Sequence, residues 1–312
     1  MNRRQFLLTT TLAATSGLTA RSEPAPNHRR FTIDLTPGAI GVSGELPEII
    51  RLAHTHGFES VQPDTGYLAR QDDAGIARTK AALAEAGLKW GAAGLPVEFR
   101  RDDTTFRRDL ERLAPVAQAL KKAEVTRIGT WLSPASGELP YDENLQRHVT
   151  RLRETARLLA DHGLRLGLEY VGTPSLRARA KHEFVHKLAQ ARELIAEINV
   201  PGVGLVLDSW HWWTAGDSVA DLRQLRNEDV IAVDLNDAPA GVALAEQQDN
   251  RRELPVATGV IPVKDFLAAL VAIGYDGPIR AEPFNQPLNA LDNEAACART
   301  AEAMKKAMAL VG

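Results

Sequence analysis

The chain has 312 residues, 44% of them hydrophobic and 25% charged, with a formal net charge of -3. That apolar content is enough for a substantial core, and the slightly acidic balance excludes the basic surface that a nucleic-acid groove requires. Cys297 is the single cysteine, so an intrachain disulfide is excluded as well.

The first stretch, "NRRQFLLTTTLAATSGLTA", pairs Arg3 with Arg4 ahead of Phe6, Leu7, Leu8 and a short uncharged run. This is the pattern of a twin-arginine export signal, with small residues around Ala20 for cleavage. Its apolar part is too short and too rich in Thr to span a bilayer stably. The Pro-containing "RSEPAPNHRR" reads as a linker. Residues 1–29 are therefore expected to be signal and linker, and 30–312 one folded domain. The expected location is the periplasm or another exported compartment, with the twin-arginine machinery as a partner and no stable membrane insertion once the signal is removed.

From Arg30 onward, short apolar or β-branched runs alternate with segments of helical period, eight times over. "RFTIDL" precedes a helix in "ELPEIIRLAHTHG", "FESVQPD" precedes "DAGIARTKAALAEAG", and "LKWGAAGLPV" precedes "FRRDLERLAPVAQALKKA". "VTRIGTWLSP" leads to "ENLQRHVTRLRETARLLADHG", and "LRLGLEYVG" leads to "HEFVHKLAQARELIAEI". "VGLVLDSW" is followed by "SVADLRQL", "VIAVDLNDAP" by a long loop and "IPVKDFLAALVAIG", and "PIRAEPFN" by "NEAACARTAEAMKKAMAL". Strands buried on both faces and joined by helical crossovers predict an α/β fold, a single-domain (β/α)8 TIM barrel. A doubly wound open sheet is the alternative, but no Gly-rich phosphate fingerprint follows the first strand.

In such barrels the reactive groups stand at the carboxyl ends of the strands. The fifth to eighth runs end in Glu169, Asp208, Asp234 and Glu282. Four carboxylates converging on one rim would repel one another in a partly dry site, and a divalent cation is the natural compensator.

"LGLEY", "LDSWH", "VDLND" and "AEPF", in this order and at these strand ends, resemble the xylose isomerase-like barrels. They resemble in particular the sugar phosphate isomerase/epimerase group that includes D-tagatose 3-epimerase. The resemblance implies one divalent ion, Mn²⁺, Mg²⁺ or Co²⁺, with Glu169, Asp208 and Glu282 among its ligands. It also implies that Glu169 and Glu282 exchange protons with substrate carbon and that His211, in the D-x-x-H spacing, hydrogen-bonds substrate oxygen. The seventh strand departs from the family, because Asp234 stands where a histidine is usual. With Asp234 as the fourth ligand, four carboxylates leave a surplus of two negative charges on a dication. That surplus favours a hard ion, raises the proton affinity of one carboxylate, or calls in a cation such as Arg280, which shares the strand face of Glu282. Asn236 is the alternative ligand.

Sugars present C–H faces to aromatic rings, so Trp131 and the cluster Trp210, Trp212 and Trp213 are candidate pocket walls, Trp131 and Trp213 foremost. Gln62 is a candidate hydroxyl contact, and the seventh loop, too long for a simple connector, brings Arg251 or Arg252 within reach of a substrate. The expected function is a metal-dependent isomerase or epimerase of a keto sugar or oxidised glycoside, working by Glu-mediated proton transfer through an enediolate. A lyase or dehydratase on a 3-oxo sugar shares the same first step, and a non-catalytic carbohydrate-binding barrel is the alternative from another class. The expected partner is a small carbohydrate, with no nucleic acid; a homo-oligomer is compatible with this reading.

Overall fold

A computed structural model describes residues 29–312. The expected export signal, and the linker up to residue 28, lie outside the described residues. The strands in chain order are β1 (Thr32–Leu35), β2 (Ser60–Val61), β3 (Lys89–Trp90), β4 (Ala93–Gly94), β5 (Arg127–Trp131), β6 (Ala135–Ser136), β7 (Arg165–Glu169), β8 (His182–Glu183), β9 (Val203–Asp208), β10 (Val230–Leu235) and β11 (Pro278–Ala281). Nine of them form a parallel sheet in the order β3-β2-β1-β11-β10-β9-β7-β5-β4. β3 and β4 are two halves of the expected third strand, the first paired with β2 and the second with β5, so the sheet closes into the eight-stranded TIM barrel.

Gly91, between those halves, has to be a glycine. A Cβ there would stand 2.3 Å from a carboxylate oxygen of Asp34, whose side chain points into the barrel. Deeper in, Gly129, Gly167 and Gly204 are in register across β5, β7 and β9. Val206 and Ile231 fill the room these glycines leave; a Cβ on Gly167 would lie 2.8 Å from Val206. The barrel is thus packed solid at that level and forms no channel through its centre.

The surrounding helices follow the apolar periods read from the sequence. Leu46–His56 ends at Gly57 with φ of 74°, and Asp103–Lys122 is capped by the Asp102 side chain on Thr105 N. Two stretches differ from expectation. His182 and Glu183 do not open a helix but form β8, paired antiparallel to β6, and the helix begins only at Leu188. "SWHWWTA" is itself a helix, Ser209–Ala215, whereas "SVADLRQL" yields only the four-residue Val219–Leu222. Asp208 explains the first of these: its side chain accepts from Trp210 N and starts a helical turn at once.

One level of the barrel carries ionisable side chains on four adjacent strands, Asp34 opposite Arg280, Arg280 opposite Asp234, and Asp234 opposite Asp208. That level is the floor of the site.

Candidate active site

Glu169 ends β7, Asp208 ends β9, Asp234 lies one residue from the end of β10, and Glu282 follows β11. The expected convergence is present. One ligand atom from each of Glu169, Asp234 and Glu282 lies within 4.8 Å of the others, and the same holds for Glu169, Asp208 and His211. Asp208, Asp234, Glu169 and His211 are buried, and Glu282 is half-buried.

Two arginines answer the charge. Arg280 grips Asp234 through Nε and one terminal nitrogen, the latter 3.0 Å from Oδ2, so both oxygens of Asp234 are paired. Arg252 comes from the loop after β10 and is 2% exposed. Its terminal nitrogens lie 2.7 Å from Asp208 Oδ2, 3.4 Å from Glu282 Oε2, 2.8 Å from Asp249 Oδ1 and 3.2 Å from His211 Nε2. The guanidinium is sandwiched between Trp210 and Phe284, with centroids 5.4 and 4.8 Å away. Phe284 holds its place at φ of 43°, a left-handed backbone that is strained for a bulky residue.

Asn236 is not in either acidic group. Its amide nitrogen donates to Asp208 Oδ1 at 3.0 Å and its oxygen accepts from Glu282 N at 2.9 Å, so it ties the Asp208 carboxylate to the backbone at Glu282. Neighbouring Asp237 folds the long loop by accepting from the backbone N–H groups of Thr258, Gly259 and Ile261, which sets the course of the segment that delivers Arg252.

Glu169 and Glu282 are the least committed of the four acids. Oε1 of Glu169 is buried and has no hydrogen-bond partner among the described residues. Burial, and then Glu282, Asp234 and Asp208, hold the Glu169 carboxyl well above the usual range. Burial, and then Asp234, push Glu282 up to about 8. Burial and Arg252 push His211 down to about 3, so its ring is neutral. With Asp249 also on Arg252, the carboxylates outnumber the two guanidiniums, and among the described residues Glu169 Oε1 is a buried oxygen without a partner; one divalent cation fits this donor set. A carboxylate oxygen that already accepts one hydrogen bond retains a second lone pair for a metal.

Above this floor is a cavity of about 450 Å³ lined by Glu169, Glu282, His211 and Arg252, with Trp131 and Phe284 among its walls. Trp131 is 47% exposed and stacked against Arg100. Trp213 and Gln62 are not part of it. Trp213 is half-buried and packs edge-on against Trp210, because the helix directs it towards the core. Trp210 is wholly buried, donating from its indole N–H to Thr173 Oγ1, and Trp212 packs on Phe266. Gln62 lines a separate depression of about 270 Å³ with Asp64 and Gly94, since β2 stops at Val61 and the chain turns away there. Arg251 is exposed, and Arg252 is the arginine that reaches the cavity. Asp249 and Asp34 were not read from the sequence as site residues. Asp249 sits in a loop with no periodic signal, whereas Asp34, an acid inside the first apolar run, carried a signal that could have been used.

The family model described as xylose isomerase-like TIM barrel matches residues 50–307. Among solved structures, a xylose isomerase domain protein from Alicyclobacillus acidocaldarius is 30% identical with a TM-score of 0.79, covering 90% of this chain and 99% of that one. A zinc-bound IOLI protein, 20% identical with a TM-score of 0.75, covers the same shares and shares the fold. Among curated proteins, inosose isomerase of Bacillus subtilis is 29% identical over 146 residues, 46% of this chain and 48% of that protein. 3-Dehydroshikimate dehydratase of Pseudomonas aeruginosa is 29% identical over 265 residues, 82% of this chain but 39% of that protein. The chain thus matches half or less of the length of either enzyme. The match to the family model, running through nearly all of the described barrel and its acidic strand ends, means that the chain belongs to the xylose isomerase-like TIM barrel family.

Proposed function

We propose that this protein is a divalent-metal-dependent isomerase or epimerase of a keto sugar or related cyclic polyol ketone. The observation that carries the reading is the pair Glu169 and Glu282 on the cavity floor, both with raised proton affinity and neither locked in a two-point ion pair. Glu169, Asp208, Asp234 and Glu282 would hold the ion, and when bound it supplies the positive charge that polarises a carbonyl and acidifies the neighbouring C–H.

The chain's own residues account for the rest. The substrate ring lies between Trp131 and Phe284, whose rings suit the C–H faces of a sugar. One glutamate removes the proton from the carbon beside the carbonyl and the other returns a proton, to the opposite face of that carbon in an epimerisation, or to the former carbonyl carbon in an isomerisation, where the hydroxyl proton of the first carbon passes to the former carbonyl oxygen. A carboxyl that keeps its proton near neutral pH beside one that has lost it is the pairing this exchange needs. Neutral His211 accepts from the Arg252 guanidinium at 3.2 Å and both line the cavity beside the glutamates, while the substrate oxygen on which negative charge develops would be held by the bound cation.

A dehydratase is the second reading, supported by the similarity to 3-dehydroshikimate dehydratase along 82% of the chain. Its first proton abstraction is the same, and loss of a β-hydroxyl as water replaces reprotonation. The twin-arginine pattern adds an exported location to the proposal and, with it, an unphosphorylated substrate. A reporter fused behind residues 1–29 should be exported, and its retention in the cytoplasm would reject that location.

For the reaction itself, the purified protein is stripped with a chelator, reloaded with Mn²⁺, Mg²⁺, Co²⁺ or Zn²⁺, and incubated in D₂O with an inosose and with 3-dehydroshikimate. NMR should show metal-dependent deuterium incorporation beside the ketone. Retention of the substrate's formula identifies isomerisation or epimerisation, and loss of water identifies dehydration. No exchange with any metal on either compound overturns the proposal.

A further inference from the structure

A second cavity, of about 520 Å³, adjoins the first and shares Ser133 and Ala135 with it as wall. Its lining brings Arg100 and Arg147 together with His148. Arg100 is committed: Glu98 holds it at 2.9 Å, the Trp131 carbonyl accepts from it at 2.7 Å, and it lies flat on the Trp131 ring. Arg147 is not committed. Among the described residues it forms no salt bridge; its terminal nitrogen donates to Asn144 Oδ1 at 2.9 Å, and its Nε is buried without a partner.

His148, the next residue on the helix Tyr141–Asp161, is 2% exposed. Its ring packs against Phe99 and Phe184, with centroids 5.6 and 4.7 Å away. Nδ1 lies 2.8 Å from the Asn144 carbonyl, which can only accept, so the ring proton is on Nδ1. Burial, reinforced by Arg147, Arg100 and Arg151, pushes His148 down to about 4, so the ring is neutral and Nε2 is a bare acceptor. That Nε2 is buried and has no partner among the described residues. The acids on the same wall do not quench the site: Thr105 occupies both oxygens of Asp102, and Glu138 is exposed.

A half-buried guanidinium with donors to spare beside a neutral nitrogen that can only accept is the complement of a carboxylate with a hydroxyl next to it. We propose that this second cavity is a subsite for the acid end of a sugar-acid type ligand, with the carboxylate on Arg147 and the adjacent hydroxyl donating to His148 Nε2. Resting on the reading of the first cavity as the reaction site, this makes the substrate an acidic molecule that reaches both cavities, one whose carbonyl end lies over Glu169 and Glu282.

The test uses the full mature chain without added metal, so that it does not depend on turnover. Histidine ring nitrogens are followed by NMR during titration with D-glucuronate and, in parallel, with D-glucose, and the His148 signal is assigned by its loss in His148→Gln. Glucuronate is expected to shift the His148 Nε2 resonance saturably and glucose to leave it in place. Arg147→Met should weaken the glucuronate effect at least about tenfold, the size of a lost charge-assisted hydrogen bond, while Arg147→Lys retains most of it. Equal shifts from both sugars, no shift from glucuronate, or an unchanged titration in a folded Arg147→Met protein overturns the proposal. If glucuronate binds in this way but no metal-loaded protein exchanges deuterium into a ketone, the reaction assignment fails and the subsite stands.

Discussion

Glu169→Gln and Glu282→Gln are each expected to lower turnover by about 100- to 10,000-fold, the range that a positioned acid or base contributes. Neither change should unfold the protein, because glutamine has the shape of the protonated glutamic acid that burial and the neighbouring acids favour at both positions. Glu282 supplies a second readout. Its folded-state value of about 8 lies above the ordinary 4.5 of a glutamate, so its contribution to stability is complete below the unfolded value and lost as pH rises through about 8. In chelated protein, Glu282→Gln should therefore gain on the wild type between pH 5 and pH 9 when both are followed by urea unfolding. Retention of more than about a hundredth of the activity removes the residue concerned from the proton-carrying role. A stability difference that does not change with pH would show that Glu282 is not held among other acids.

Arg280→Met should be among the most destabilising single substitutions in the barrel, costing about 3–5 kcal/mol in chelated protein, because it leaves Asp234 buried and charged without its partner. Adding Asp234→Asn to it should recover most of that loss, as expected for residues that act as one pair. A divalent ion should protect Arg280→Met more than the wild type, since the cation then meets an acid that no guanidinium has satisfied. Thermal or urea unfolding of the single and double variants, with and without metal, measures all three effects. A cost below about 1 kcal/mol would mean that the pair behaves like an exposed ion pair and does not carry the compensation assigned to it.

Arg280 and Asp234 also show how far the sequence could be read. Period two along the eighth strand places Arg280 on the face of Glu282, and that alone makes it the candidate partner of the seventh-strand acid. The structure contains that pair. The same local periodicity is why the alternation of eight strands and helices was legible, since burying a parallel strand on both faces requires an uninterrupted apolar run and a helical crossover. The helix in "SWHWW" is not legible, because apolar period gives no phase over so short a stretch and the turn starts from one capping contact by Asp208. Its aromatics accordingly pack against the core.

The sequence by itself determined the barrel and the presence of four acids on consecutive strand ends, because strand and helix periodicity and strand-end position are local properties of the chain. Only the tertiary structure decided which acids are free and which are tied. Arg252 reaches Asp208 across 44 positions of sequence, through a loop whose course is set by Asp237, and no local pattern encodes that approach. Gln62 and Trp213 were excluded from the cavity in the same way, by where β2 stops and by the face on which a seven-residue helix lands. Proton affinity is the clearest case. An isolated glutamate carries none of the shift found at Glu282, which arises from burial and from Asp234 48 residues away in the chain, so it comes into being only when the barrel closes.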